Sequence, residues 1–226
     1  KLPGAVWVTG QPKLQRLVFY YVVLAGILAW LWYEKKPQRK SEAESNNRVR
    51  NLRFNRIALT LFYLGLLICS MQKEEKRFQI QVLDVGQGDG IYIESDAGTE
   101  IFVDGGSVDV SEVGKYRIRP FLKSHGVREV DYWFVSHCDA DHCNGLMELL
   151  ETDYPIKHLV FSKYVLKDEA QEELAALAKQ KGCQVLYMEE GECFRDTSIR
   201  IQAIYPSEKS VEGERNADSL VLLLEH

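Results

Sequence analysis

The most informative segment of the sequence is Ser136–Gly145, which reads SHCDADHCNG and follows the apolar run Asp131–Ser136, DYWFVS. The apolar run predicts a buried strand, and the polar residues after it predict a loop that leads into a helix. In α/β proteins, ligands bind beyond the carboxyl ends of strands, which is where such a loop lies. The stretch therefore predicts an α/β fold with a functional site at this edge of the sheet.

This loop also gathers potential metal ligands within six residues: His137, Asp139, Asp141 and His142. Imidazole and carboxylate groups suit Zn²⁺, Mn²⁺ or Fe²⁺. Their spacing of i, i+2, i+4 and i+5 lets alternate residues of a tight loop face one side. Cys138 and Cys143 are softer potential ligands, and we leave them out of the predicted site.

The flanking segments alternate between strand and helix patterns. Upstream, β-rich runs separated by glycine turns predict a three-stranded meander at Phe78–Asp84, Ile91–Glu94 and Glu100–Asp104. Downstream, Asp168 predicts the start of a helix that ends at Gly182. Further strands are predicted near Gln184–Met188, Ser198–Ile204 and Ser219–Glu225. The pattern as a whole is typical of layered α/β proteins.

The N-terminal part contains two uncharged runs, Leu17–Tyr33 with 17 residues and Ile57–Met71 with 15. As helices they would be about 26 Å and 23 Å long, which is the short end for crossing a bilayer. We predict a transmembrane hairpin over residues 1–77, with helices at about 14–33 and 57–72. By length alone, the second helix fits a buried or interfacial helix as well.

Charge divides the chain in the same way. Residues 1–77 hold 14 Lys and Arg against 5 Asp and Glu, whereas residues 78–226 hold 14 against 28. The segment 34–56 between the two apolar runs carries eight Lys and Arg and three Glu. Because short loops rich in Lys and Arg stay in the cytoplasm, this segment predicts an extracytoplasmic location for residues 78–226.

The loop motif resembles the H-x-H-x-D-H signature of the metallo-β-lactamase superfamily, with Asp139 at the position of the second His. This variant, together with Asp84–Asp89 (DVGQGD) and Phe102–Gly106 (FVDGG), resembles the hydrolase domain of ComEC-type competence proteins. Those proteins form the DNA-uptake channel of transformable bacteria. The resemblance also covers the N-terminal part, where such proteins carry transmembrane helices just before the hydrolase domain.

This resemblance implies a partial metallo-β-lactamase αββα sandwich over residues 78–226 and a fold class of α/β. It implies two divalent cations, Zn or Mn, with His137 and Asp139 holding the first and Asp141 and His142 the second. Asp141 is the candidate catalytic residue. Asp104 is expected either to orient a ligand imidazole or to cap a turn. Asp84 and Asp89 lie in a Gly-rich turn, where we expect them to have a structural role in the backbone conformation and no chemical one. We assign no role to Asn216 or Ser219.

The implied function is cleavage of phosphodiester bonds of incoming DNA by a multi-pass protein of the cell membrane. Single-stranded DNA, membrane lipid and other components of the DNA-uptake machinery are the implied partners. ComEC-type domains continue with a Gly-Asp strand end and a His-His-Gly-Ser segment, which do not occur here. The chain is therefore predicted to be incomplete at its C-terminus, to bind metal weakly and to hydrolyse little.

Two alternatives remain open. A domain with twice as many acidic as basic residues repels phosphates, which favours a membrane-anchored hydrolase of a small substrate. The missing ligands favour a non-catalytic channel or docking module. A basic stretch either guides a DNA strand or is solvated surface: Lys115, Arg117, Arg119, Lys123 and Arg128.

Overall fold

The protein is described by a computed structural model, which covers Val8 and residues 10–34, 59–60, 62–65, 76–164, 169–209 and 216–226. The chain divides into two compact units. One unit comprises residues 11–74, and the other comprises residues 1–10 and 75–226.

The unit of residues 11–74 contains helix α1, Leu14–Glu34, at the place predicted for the first apolar helix. Residues 59–60 and 62–65 are also helical, while the rest of the predicted second helix and nearly all of the basic segment lie outside the described residues. No helix among the described residues has the combined length and apolar character of a membrane span. The transmembrane hairpin over residues 1–77 stays a prediction.

The larger unit is built on a six-stranded sheet in which the strands follow chain order from β1 to β6. The first three strands pair antiparallel, as the predicted meander requires, and β3 to β6 pair parallel. The strands are β1 Gln79–Val82, β2 Gly90–Glu94, β3 Glu100–Asp104, β4 Val130–Phe134, β5 Ile156–Ser162 and β6 Gln184–Met188.

A second, antiparallel sheet of three strands lies against one face of the first. Its strands are β7 Cys193–Arg195, β8 Arg200–Tyr205 and β9 Val221–Glu225. Buried side chains of the two sheets meet between them, among them Ile101 and Phe134 from the large sheet and Ile201 and Ala203 from the small one. Of the three predicted downstream strands, the one near Gln184–Met188 is β6 of the large sheet, and those near Ser198–Ile204 and Ser219–Glu225 correspond to β8 and β9 of this second sheet.

Helices cover the opposite face of the large sheet. They are a π-helix at Gly114–Ile118, α2 Arg119–Ser124, α3 Ala140–Glu151 and α4 Glu169–Gln180. Their apolar residues, such as Leu146 and Leu174, form a second buried cluster with Trp133 of the sheet. Helix α4 begins beside the predicted start at Asp168, which lies outside the described residues. The predicted α/β class is confirmed, with three layers in the order helix, sheet, sheet.

Candidate metal centre

The ligand-rich loop connects β4 to α3 in the middle of the large sheet. Because β3 and β4 are parallel neighbours, Asp104 at the end of β3 and Ser136 after β4 meet at the same edge. Asp139 is the N-cap residue of α3, with φ −73° and ψ 152°. Asp usually caps a helix with its carboxylate, but here the side chain makes no capping hydrogen bond. The Asp139 carboxylate faces the site.

Asp104 is a buried hydrogen-bond acceptor that contacts both Ser136 and His142. Its carboxylate accepts hydrogen bonds from the Ser136 backbone N–H (2.7 Å) and the Ser136 hydroxyl (2.8 Å). The Nδ1 atom of His142 lies 3.0 Å from the same carboxylate. Asp104 has a positive φ of 58°, a conformation that few residues other than Gly adopt. The contact expected between Asp104 and an imidazole is present.

His137 is buried, and the hydroxyls around it define its tautomer. Its Nδ1 lies 3.0 Å from the Ser136 hydroxyl and 3.2 Å from the Ser219 hydroxyl. Ser136 donates its proton to Asp104, and Ser219 donates to the Asn216 carbonyl at 2.9 Å. Both hydroxyl oxygens are therefore acceptors toward His137. It follows that Nδ1 carries the imidazole proton and that Nε2 presents a lone pair.

This Nε2 atom is the most informative atom of the site. It is buried and has no hydrogen-bond partner among the described residues, although a carboxylate oxygen of Asp139 lies 3.4 Å away. Two acceptor atoms that face each other repel unless a cation lies between them. Two ligands bound to one tetrahedral cation at about 2.0–2.1 Å are themselves about 3.3–3.4 Å apart. The spacing of His137 and Asp139 therefore fits a bound metal ion.

His142 and Asp141 form a second pair beside the first. Asp104 accepts the Nδ1 proton of His142, so in the neutral ring the Nε2 atom of His142 presents a lone pair, 3.8 Å from a carboxylate oxygen of Asp141. The imidazole rings of His137 and His142 have centroids 3.9 Å apart. The structure thus brings the four predicted ligands together as two adjacent pairs, each with one imidazole and one carboxylate.

The two imidazoles have opposite shifts in pKa. Burial, together with the neighbouring His142 ring, lowers the pKa of His137 below its ordinary value. Burial also lowers the pKa of His142, but the hydrogen bond to Asp104 and the charges of nearby carboxylates outweigh it and raise that pKa. At neutral pH the structure favours a neutral His137, which is the form that binds metal.

Glycines allow two loops to reach the first turn of α3. The backbone N–H of Asp89 donates to the Asp141 carbonyl (3.1 Å), and that of Gly106 donates to the Asp89 carbonyl (3.1 Å). A Cβ on Gly88 would lie 2.6 Å from the Asp141 carbonyl oxygen, and one on Gly106 would lie 2.5 Å from that of Ala140. The Gly-rich segment 84–90 therefore shapes the backbone of the site, while Asp84 is exposed.

Asp89 was expected to serve the shape of a Gly-rich turn, and the structure also places its carboxylate near His142. One of its carboxylate oxygens lies 3.6 Å from His142 Nδ1. Asp89, Asp104 and His142 have potential ligand atoms within 4.8 Å of one another. Because Asp104 already occupies Nδ1 of His142, we interpret this group as a hydrogen-bonding network behind the ring. No local signal in the sequence marks Asp89 as a neighbour of His142, because the two residues lie far apart in the chain.

Ser136 and Ser219 were not assigned a role from the sequence, yet both contact His137. The segment around Ser219 reaches the site because the Leu220 N–H donates to the Ser136 carbonyl (3.0 Å). Cys138 and Cys143 are both buried in the core on the helical side of the large sheet. A hydrogen bond from Cys138 lowers the pKa of the Cys143 thiol. The two thiols therefore contact each other within the core.

The remaining histidines lie elsewhere. His125 contacts Gln81 (3.1 Å), and His158 contacts the Asp131 carbonyl (2.9 Å). His226 stacks on Phe78 with ring centroids 4.0 Å apart. None of these three contacts involves a residue of the ligand-rich loop.

Comparison with known proteins gives one curated relative. No protein-family profile matches the chain. The ComE operon protein 3 of Bacillus subtilis (strain 168) is 24% identical over 182 residues, which cover 75% of this chain and 23% of the relative. The chain therefore spans about a quarter of the relative's length. This similarity confirms the resemblance to ComEC-type proteins.

Solved structures overlap with the chain in part. A metallo-β-lactamase from Staphylococcus aureus aligns with a TM-score of 0.43 at 12% identity, over 68% of this chain and 40% of that structure. Zn²⁺-bound PqqB from Methylobacterium extorquens aligns with a TM-score of 0.42 at 13% identity, over 61% and 48%. The metallo-β-lactamase fold protein YhfI from Bacillus subtilis aligns with 0.39 at 14%, over 55% and 52%. At such scores, nothing about activity follows from the overlap.

Proposed function

We propose that this chain is the metal-dependent hydrolase part of a DNA-uptake protein related to ComE operon protein 3, and that it cleaves phosphodiester bonds of DNA. The observation that carries the proposal is the buried Nε2 atom of His137, which faces a carboxylate at 3.4 Å. Such a pair of acceptors is suited to hold a cation. We also propose that the domain has the metallo-β-lactamase fold.

Four residues are assigned as metal ligands: His137, Asp139, Asp141 and His142. His137 and Asp139 would hold one divalent cation, and Asp141 and His142 a second, with Zn²⁺ or Mn²⁺ as the candidates. Two such cations lower the pKa of water toward neutrality and neutralise charge on a phosphate. Each would have two protein ligands here, fewer than the three typical of catalytic zinc. We therefore expect weak metal binding and slow hydrolysis by this chain.

The other residues of the site orient these ligands. Asp104 accepts the Nδ1 proton of His142, and the Ser136 and Ser219 hydroxyls accept that of His137. Both Nε2 atoms then point their lone pairs toward the cations. Asp141 is assigned as the catalytic residue, because its half-buried carboxylate can accept a hydrogen bond from the attacking water and align it with the phosphorus atom.

The relationship to the Bacillus protein also supports a location in the cell membrane, with the hydrolase domain on the extracytoplasmic side. Single-stranded DNA, membrane lipid and other components of the uptake machinery are the proposed partners. All of these belong to the proposal, since the chain covers 23% of that relative.

The test is cleavage of end-labelled single-stranded DNA with Mn²⁺ or Zn²⁺, read on a denaturing gel. We expect slow cleavage by the wild-type chain and none above background by His137→Ala or Asp141→Ala. His226→Ala is the matched control, because that imidazole contacts Asp96 (2.8 Å), outside the ligand-rich loop. Equal cleavage by the wild-type chain and the two site variants would refute the ligand assignment.

One observation favours a second candidate, a hydrolase of a small substrate. Residues 78–226 hold 28 acidic against 14 basic residues, and an acidic surface repels a polyanion more than a small ester. Hydrolysis of bis(p-nitrophenyl) phosphate without any cleavage of DNA would favour this candidate. Absence of both activities in a chain that binds metal would favour a docking module.

A further inference from the structure

We infer that an exposed basic surface on the π-helix and α2 binds the phosphates of a single nucleic-acid strand and guides it to the candidate metal centre. The surface is formed by Arg117, Arg119 and Lys123, and we call it the basic face. The inference rests on the proposed function, since it names how a DNA substrate would be held. It goes beyond that function in assigning the contact to particular residues.

The first observation is that two cations of the basic stretch have partners, whereas the three of the basic face have no carboxylate partner among the described residues. Lys115 forms an ion pair with Glu112 (2.6 Å), and Arg128 donates from Nε to the Val8 carbonyl (3.1 Å). Within the described residues, no carboxylate pairs with the side chains of the basic face. No acidic residue occurs between Val113 and Arg128 in the sequence. The basic face therefore keeps its positive charge available.

Elsewhere among the described residues of the domain, at least four cations are neutralised by a partner. Lys157, Lys163, Lys181 and Arg200 each form an ion pair with a carboxylate. In a domain with twice as many acidic as basic residues, a local group of unpaired cations is the feature that an anionic partner would recognise.

The second observation is the orientation of the two helical segments. Gly114, Ile118 and Leu122 recur every four residues and are buried. Arg117 and Lys123 are exposed, as is Tyr116 with 59% of its surface accessible. A π-helical segment of this kind is rare and occurs frequently at functional sites. Cations beside an exposed aromatic ring are the combination that binds single strands, through phosphates and stacked bases.

The third observation is that the π-helix, which carries part of the basic face, packs against α3. The Lys115 backbone N–H donates to the Glu148 carboxylate of α3 (3.1 Å), and a Cβ on Gly114 would overlap with the Gly145 carbonyl. Gly145 is four residues after Asp141, which is about 6 Å along a helix axis. The π-helix therefore packs against the helix whose first turn carries the proposed ligands.

An anionic lipid surface is the competing partner for such cations. Membrane-binding basic helices bury an apolar face in the bilayer, but the apolar residues Ile118 and Leu122 of these segments are buried in the protein core. Lipid-binding basic clusters also contain about four to eight cations, whereas this face has three. Both features favour the single strand over the lipid.

The experiment measures binding of a fluorescent 15-nucleotide oligothymidylate to the full chain in EDTA, where metal-dependent cleavage is absent. The variant is Arg117→Gln with Lys123→Gln. The control is Lys179→Gln with Lys209→Gln, which removes the same charge at two exposed lysines that form no ion pair with the described residues. Each lost phosphate contact lowers the salt slope by about 0.7, so two should weaken binding about 25-fold near 0.1 M salt.

The expected result is this loss in the basic-face variant, with the control within about twofold of wild type and circular dichroism unchanged. Equal weakening by the control would mean that net charge alone acts, and would overturn the inference. So would oligothymidylate binding that is unaffected by the variant, including the case where the variant loses binding only to phosphatidylglycerol vesicles.

Failure of the two proposals can be told apart. If the basic face binds the strand but DNA is never cleaved with metal, the proposed function fails and the surface remains. If bis(p-nitrophenyl) phosphate and DNA are hydrolysed by the wild-type chain and the basic-face variant alike, and the variant binds oligothymidylate normally, the surface fails and the proposed function remains.

Discussion

His137 and His142 are adjacent imidazoles whose surroundings act on them in opposite directions. Burial lowers the pKa of His137, and the Asp104 hydrogen bond helps to raise that of His142. Neighbouring groups whose pKa values are shifted in opposite directions by their surroundings are typical of functional sites. In the neutral form of each ring the neighbouring oxygen atoms hold the Nδ1 proton, so that Nε2 is the acceptor.

At this scale we predict that the two rings titrate on opposite sides of the ordinary value of 6.5 in the metal-free chain. His142 is protonated more readily in the folded state, so its contribution to stability is present below 6.5 and is lost as the pH rises through its folded pKa. The contribution of His137 is lost as the pH falls from 6.5 to its folded pKa. NMR titration of the histidine ring protons measures both values.

Asp104→Asn provides the control for this titration. It removes the charge that favours protonated His142, so the pKa of His142 should fall, while His137 should shift less. The assigned hydrogen bonds would be contradicted if the two rings had the same pKa in the wild-type chain, or if the pKa of His142 did not change in Asp104→Asn.

At the scale of elements, three backbone segments converge on the site: the glycine loop before β2, the loop after β3 and the first turn of α3. Hydrogen bonds of 3.1 Å join Asp89 to Asp141 and Gly106 to Asp89. Asn144 of α3 adds a pair of bonds to the Ser107 backbone, at 2.6 Å and 3.0 Å. The ligand-bearing turn is thus held by backbone contacts that tolerate no side chain between them.

Gly106→Ala should therefore destabilise the domain by at least about 3 kcal/mol, the upper range for overpacking, because the added Cβ meets backbone atoms that cannot rotate away. Urea unfolding followed by circular dichroism measures the free energy.

Gly182→Ala is the comparison for Gly106→Ala. Gly182 has a φ of +84° with nothing within 4 Å of the added Cβ, so only the cost of the left-handed conformation applies, about 1 kcal/mol. Similar losses in the two variants would show that the close approach of the loops is not what Gly106 provides.

At the scale of the whole molecule, acidic charge is concentrated in the domain that carries the site. Residues 78–226 hold 28 Asp and Glu, and four carboxylates lie around the two imidazoles of the site. Carboxylates that repel one another make the folded state less stable until a cation neutralises them. Binding of a divalent cation should therefore stabilise the fold.

We predict that Zn²⁺ or Mn²⁺ at about 100 times its Kd stabilises the chain by about 2.7 kcal/mol. This corresponds to a rise in Tm of roughly 5–10 °C for a chain of this size, and EDTA should reverse it. The shift should disappear in His137→Ala and persist in Asp89→Asn, because Asp89 is assigned to the network behind His142. Loss of the shift in Asp89→Asn alone would identify Asp89, Asp104 and His142 as the metal site.

Local pattern was enough to predict the strand before the loop, the three-stranded meander and the layered α/β class, and it also placed four candidate ligands close together in one loop. Each of these depends on residues that are close in sequence, such as the β-rich runs between glycine turns or the spacing from His137 to His142. The second apolar helix and its membrane role were predicted from the same kind of signal, and no membrane span is found among the described residues.

Contacts between segments that are distant in sequence could not be predicted from local pattern. Ser219 lies 82 residues from His137, and Asp104 lies 38 from His142, yet each pair is in contact. Nothing in the local sequence marks Ser136 or Asp89 as neighbours of an imidazole. Residue identity determined which groups can bind a cation. Which nitrogen carries the proton, and which carboxylate faces it, depended on how the strands pair, because those neighbours meet only when the sheet has formed.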